Sequence, residues 1–163
     1  MTQSASAGDG VTIREFQPGD EIAFRRLNEE WIVRYFSLEP KDQQTLGDPR
    51  VSILDPGGRI FLAVQGSETL GCCALIAVGP GEFEVAKMAV TETAQGAGVG
   101  RQLLVTAIAS ARASGARRLL LETNRMLVRA IRLYESVGFR HLPAARVQPS
   151  PYTRSNVSME LIL

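Results

Sequence analysis

A mixed α/β (α+β) domain, with about seven strands in a mostly antiparallel sheet and four helices, is what the order of residues predicts. Two β-rich runs, 59–65 and 69–78, are joined by Gly66-Ser67-Glu68, and a third, 83–90, follows Gly79-Pro80-Gly81, so three strands form a meander. An Ala-rich helical stretch then separates run 83–90 from an apolar run at 118–123, which makes one strand–helix–strand crossover. The order of elements therefore differs from the regular alternation of a doubly wound fold.

Each element has its own justification. Val11, Ile13 and Phe16 are spaced by Thr12 and Arg14 as a short first strand. Pro18-Gly19 turns the chain and offers Asp20 as a helix N-cap. Ile22, Leu27, Trp31 and Tyr35 then recur at roughly helical spacing and are expected to form the inner stripe, with Arg25, Arg26, Glu29 and Glu30 on other faces. A short helix follows Pro40 and stops before Gly47-Asp48-Pro49. Val99, Leu103, Ala107 and Ala111 share one stripe of a helix over 98–114, which Gly115 caps. Leu119-Leu120-Leu121 is a continuous apolar run suited to a strand covered on both faces. A helix over 127–137 ends at Gly138, and strands at 139–142 and 156–163 flank a Pro-containing loop. Residues 11–163 are expected to form a single domain behind a small, polar tail at 1–10.

Composition removes several function classes. At 163 residues, 45% apolar and 21% charged, the chain has the make-up of an ordinary globular domain. A formal charge of +1 gives no field that would draw nucleic acid or an anionic membrane. Cys72 and Cys73 are adjacent, so in a strand they point to opposite faces and make neither a disulfide nor a metal pair. They read as small buried hydrophobes in a reducing cytoplasm. His141 is the sole histidine, which argues against zinc, and no metal is expected. The apolar runs are too short to cross a bilayer, and the first residues lack the apolar region of a secretion signal. A cytoplasmic protein is expected.

The most informative segment is Gln95-Gly96-Ala97-Gly98-Val99-Gly100-Arg101, between a strand and a helix. Such a junction presents unpaired N–H groups and the positive end of a helix dipole, which suit a pyrophosphate. Glycines permit close approach of the main chain, and Arg101 adds a cation at the rim. The dinucleotide pattern GxGxxG fails, since its last place falls on Arg101 or Leu103, and GxxxxGK[ST] is absent. A turn whose glycines serve only helix packing would use the same residues.

At this point the chain resembles the GCN5-related N-acetyltransferase (GNAT) family. Gln95, Gly98 and Gly100 match its Q/R-x-x-G-x-G/A pyrophosphate loop, and residues 84–90 look like its fourth strand. Leu121-Glu122-Thr123-Asn124 resembles the end of its fifth strand, and Ala130 to Phe139 is similar to its A-x-x-L-Y-x-x-x-G-F helix. The likeness is firm over 83–139 and weaker outside, where Gly71 and Met159-Glu160-Leu161 are compatible with the family's third and last strands. The resemblance implies a GNAT-like sheet whose crossover forms an acetyl-CoA site, with Gln95, Gly96, Ala97, Gly98, Val99, Gly100 and Arg101 around the pyrophosphate. It also implies that the pantetheine arm lies along Met88, Ala89 and Val90, where a bulge frees N–H groups for the thioester carbonyl. A homodimer through sheet edges is compatible with it.

Aminolysis of a thioester needs a neutral amine, a stabilised oxyanion and a proton for the leaving thiolate. Tyr134 is the candidate acid: a phenol of pKa near ~10 stays protonated at neutral pH. Its helical stripe with Leu127, Ala130 and Ile131 would equally suit plain core packing. Asn124 is a candidate for the pantetheine amides and for a helix cap. Glu84 is the candidate base if its surroundings raise it from ~4.3, and otherwise a solvated charge. By analogy the acceptor lies near Glu29, Glu30, Trp31, Arg34, Tyr35 and Phe36, with Arg154 reaching in, which suits a small amine or an amino-acid-like molecule. A catalytically silent acyl-CoA sensor is the competing reading. A nucleophilic hydrolase has no GxSxG elbow here and no Cys isolated beside a base.

Overall fold

The computed structural model describes residues 10–163, so the expected tail lies outside the described residues except for Gly10. The chain runs β1 (Thr12–Glu15), α1 (Glu21–Tyr35), α2 (Pro40–Gly47), β2 (Arg59–Gln65), β3 (Glu68–Gly79) and β4 (Glu82–Val90). It continues through α3 (Val99–Ala113), β5 (Arg118–Thr123), α4 (Val128–Ser136), β6 (Arg140–His141) and β7 (Val157–Ile162). One seven-stranded sheet has the order β1-β2-β3-β4-β5-β7-β6. The β4–β5 pair is parallel and spans the α3 crossover, while the other pairs are antiparallel.

Two apolar cores sit on opposite faces of this sheet. On one face α3 lays down Val99, Leu103, Ala107 and Ala111, the stripe expected from its period, each at most 2% exposed. Burying a Val or Leu side chain contributes about 1.5–3 kcal/mol. Gly115 ends the helix at φ +83°, and Ala116 N–H reaches back to the Ala111 carbonyl at 3.0 Å. On the other face α1, α2 and the following turn cover β2 and β3 with Phe24, Leu27, Leu46 and Ile53. Cys73 belongs to the first core and Cys72 to the second, as adjacent strand residues must.

Three expectations need correction. Ile22 and Tyr35 are 79% and 54% exposed, and the inner face of α1 is Phe24, Leu27, Asn28 and Ile32. A polar residue hid this stripe: Asn28 is buried because its amide donates to Phe24 O at 3.0 Å and to Cys72 Sγ at 3.3 Å. Asp20 holds the N-cap position, yet its carboxylate turns to Arg14, at 2.7 and 3.0 Å, and to Gln17 N–H at 2.7 Å. In β5, Leu119 and Leu121 are buried while Leu120 is only partly buried beside Glu122, so one face of this strand is fully covered and the other in part. A π-helical turn at Arg50–Leu54 was also not foreseen; it seats Ile53 at 0% exposure.

Candidate active site

β4 and β5 pair only at Glu82↔Arg118, Phe83↔Leu119 and Glu84↔Leu120. Beyond Glu84 the strands part, while β5 keeps its pairing with β7 along its other edge from Arg118 to Thr123. The β5-facing edge of β4 from Val85 to Val90 thus borders a cleft of about 730 Å³. Unpaired strand edges supply N–H and C=O groups for an added extended chain.

The expected bulge is present in β4, within its ladder to β3. Cys72 pairs with Ala89 but Ala74 with Ala86, so Lys87 and Met88 together face one residue of β3. Lys87 has φ +49°, the positive value found at no other non-glycine among the described residues. Its carbonyl accepts the Cys72 thiol at 3.3 Å. Met88, Ala89 and Val90 all line the cleft.

At the upper end of β4 the chain makes a short 3-10 turn, Glu92–Ala94, and enters the glycine segment. Gly96 and Gly98 have φ +85° and +83°, a region any side chain would strain, and open space surrounds both. Gly98 is the N-cap of α3, so the N–H groups of Val99, Gly100 and Arg101 lack carbonyls within the helix to receive them. A Cβ on Gly100 would lie 3.3 Å from Met88 Cε, which explains the third glycine as packing of α3 on β4. Gln95 holds the turn by donating to Val90 O at 3.3 Å, and Arg101 reaches Ser136 Oγ at 3.0 Å. Of the segment, Gln95, Gly96, Gly98, Val99, Gly100 and Arg101 line the cleft; Ala97 does not.

The opposite wall is α4. It has no fully buried residue, since the inner side of this amphipathic helix faces the cleft. Tyr134 packs edge-on against Phe139 with centroids 6.1 Å apart, and burial pushes its phenol above the usual value. Asn124 stands where β5 ends. Its Oδ1 accepts Met126 N–H and its Nδ2 donates to Arg154 O, both at 2.8 Å, so it shapes the entry to α4 three residues before the N-cap, Leu127.

Glu84 lies at the fork. Burial, and then the charge of Glu122, raise its carboxyl to about 7, against a weaker pull from Lys87 and Lys41. Glu122 accepts the Ser150 hydroxyl at 2.7 Å and the Ser155 hydroxyl at 3.3 Å. Sequence reasoning missed Glu122, although strand alternation from Leu120 would have put it on the Glu84 side.

The acceptor side differs from expectation. Trp31, Tyr35, Phe36 and Arg154 line the cleft. Glu29 and Glu30 instead sit beside Ile22 and Val33 on the outer side of α1, and Arg34 pairs with Glu92 at 2.6 Å. The helical phase that exposes Ile22 carries the two glutamates outward with it. Asp42, Lys87 and Tyr152 were not anticipated. Asp42 is fully buried; Lys87 Nζ reaches it at 2.8 Å, and Arg154 grips it at 2.6 and 2.7 Å. Burial alone would raise Asp42, but Arg154 and Lys87 hold it down at about 2. Tyr152 OH lies 3.0 Å from Lys87 Nζ, and its ring is 4.4 Å from the Arg154 guanidinium.

The model of the Acetyltransferase (GNAT) domain matches residues 56–141, more than half of the chain. The chain belongs to the GNAT acetyltransferases. An IAA acetyltransferase of Azospirillum brasilense is 38% identical over 131 residues, covering 79% of this chain and 84% of that protein. A mycothiol acetyltransferase of Thermomonospora curvata is 35% identical over 150 residues, covering 88% of this chain but 48% of the relative, so the chain spans about half that protein's length. An acetyltransferase from Streptococcus agalactiae superposes with a TM-score of 0.84 at 20% identity, covering 95% and 99% of the two chains. A Bacillus subtilis acetyltransferase solved in complex with CoA has a TM-score of 0.70 at 22% identity and covers 94% and 99%. The two solved structures, at 20% and 22% identity, carry the fold alone. No described helix is long and apolar enough to cross a membrane, and no group of metal-ligating side chains occurs among the described residues.

Proposed function

We propose that the protein moves an acetyl group from acetyl-CoA to the primary amine of a small molecule by direct attack. The observation that carries the reading is the alignment of two features along one cleft: the free edge of β4 beyond Glu84 and the outward N–H groups at Gly98–Arg101. The second suits a pyrophosphate and the first an extended amide-bearing arm. An arm held along Met88, Ala89 and Val90 brings its thioester to the bulge, between Glu84 and Tyr134, both of which line the cleft. Glu84 takes the ammonium proton, nitrogen attacks the carbonyl, and Tyr134 donates to the departing thiolate. A carboxyl at about 7 is well matched to that task near neutral pH.

The acceptor's amine is expected to arrive as an ammonium. Glu84 and Glu122 face the fork, whereas the cations on that side, Lys87 and Arg154, are both engaged by Asp42. The names of the relatives, mycothiol acetyltransferase and IAA acetyltransferase, differ in acceptor and supply no single one. Calorimetry with coenzyme A and thiol release from acetyl-CoA over a panel of amines test the reading. Binding plus amine-dependent release is expected; absence of binding refutes it, and binding without release for every amine would make the chain a sensor.

A further inference from the structure

A connected path of hydrogen bonds joins the two walls of the cleft behind the acceptor side. Asn124, at the end of β5, donates to the carbonyl of Arg154 at 2.8 Å. The Arg154 side chain grips Asp42 of α2 through two contacts, at 2.6 and 2.7 Å. Asp42 in turn receives Lys87 Nζ at 2.8 Å, and Lys87 is the bulge residue of β4. Asp42 is also locked in place locally, because its second oxygen accepts Glu39 N–H at 3.0 Å in the capping box of α2. Glu39 completes the enclosure, binding Thr153 N–H at 2.9 Å and Arg154 at 3.3 Å.

The cost of this arrangement points to a role beyond folding. A left-handed backbone at a long side chain is disfavoured, and a buried lysine–carboxylate–arginine group adds little stability over apolar packing of the same volume. Strain of this kind persists where the surroundings over-determine it. Here they do so from two sides: Asp42 and Tyr152 hold the Lys87 ammonium, and the Cys72 thiol holds its carbonyl. Both ends of the residue that turns the Met88 and Ala89 amides are therefore anchored, on one side to α2 and through it to the loop at 152–155.

We infer that Lys87, Asp42 and Arg154 form a buried strut that sets the orientation of the bulge amides against the far wall of the cleft, making Lys87 a positioning residue for acetyl transfer. This rests on the proposed place of the thioester at the bulge. Lys87→Met removes the tether and leaves the Asp42–Arg154 pair balanced. Lys87→Gly removes it while easing the positive φ, which covers the case in which the methionine variant does not fold.

The test is isotope-edited infrared spectroscopy of acetyl-CoA carrying ¹³C at the thioester carbonyl, with calorimetry of CoA binding. In the parent protein the bound carbonyl stretch is expected below its position in water, because amides polarise it. In both variants the band should return toward the free position with CoA affinity unchanged within about twofold. Turnover with an active amine should drop by about 100-fold at constant KM for acetyl-CoA, the order expected of a misplaced reacting group. A shifted band in the parent that persists in a folded Lys87→Gly or Lys87→Met variant, with turnover intact, overturns the strut. An unshifted band in the parent removes the underlying placement of the thioester as well.

Discussion

Glu122→Gln gives the sharpest test of the catalytic base. Glu84 is raised from 4.5 to about 7, by burial first and by the Glu122 charge second. Leu120 is the register partner of Glu84, and Glu122 is the residue two further along the same face. A diagonal between paired strands spans roughly 7–8 Å, at which two like charges repel by about 2 kcal/mol at an effective dielectric of about 20; the parting of the strands makes that an upper bound here. Neutralising Glu122 should therefore bring the Glu84 carboxyl down by on the order of one unit. The rise of kcat/KM with pH, expected near 7 in the parent, moves to lower pH by that amount. A strongly basic primary amine is the acceptor to use, since it stays an ammonium throughout the window and only the protein's limb is seen. Carbon-detected NMR titration of the Glu84 carboxyl reports the same shift without any acceptor. A limb that stays put in Glu122→Gln, while Glu84→Gln abolishes it, would refute the coupling; a limb that survives Glu84→Gln would refute the base. The sign extends to stability: between 4.5 and about 7 the unfolded chain ionises Glu84 and the folded one does not, so this carboxyl lowers stability as pH rises across that interval.

Two further outcomes follow from the cleft. Tyr134→Phe keeps the ring against Phe139 and deletes the acid, so turnover should fall by about 100-fold or more while CoA affinity measured by calorimetry is retained; undiminished turnover would take Tyr134 out of that role. Gly98→Val forces a branched residue to φ +83° at the mouth of the anion site, and CoA affinity should drop at least tenfold in calorimetry, whereas Ala97→Val, outside the cleft, should leave it unaltered.

Much of the fold was legible because its signals are local. Strand runs and glycine turns gave the meander, and the period of Val99, Leu103, Ala107 and Ala111 gave α3 and its inner face. The phase of α1 was misread because Asn28 looks like a surface residue until a sulfur from β3, 44 positions away, satisfies it. The glycine-segment side of the cleft was largely readable, since it consists of main chain and small residues whose spacing carries the meaning. The side built from α2 and the 152–155 loop was not. Asp42, Lys87 and Arg154 lie on three separate elements, and their partnership depends on long-range register and on a loop whose sequence carries no periodic signal. Likewise the repulsion that tunes Glu84 arises from a neighbouring strand, so no reading of its own strand reveals it.

The two cysteines, deep on either face of β3, have a practical consequence. Both are 0% exposed, and burial drives Cys72 up to about 12 and Cys73 higher still, so neither offers a thiolate to a disulfide reagent at neutral pH. A colorimetric thiol assay on intact protein consequently counts only coenzyme A set free by turnover. Two extra equivalents of colour per chain mark denaturation, so the same cuvette doubles as a check on protein integrity.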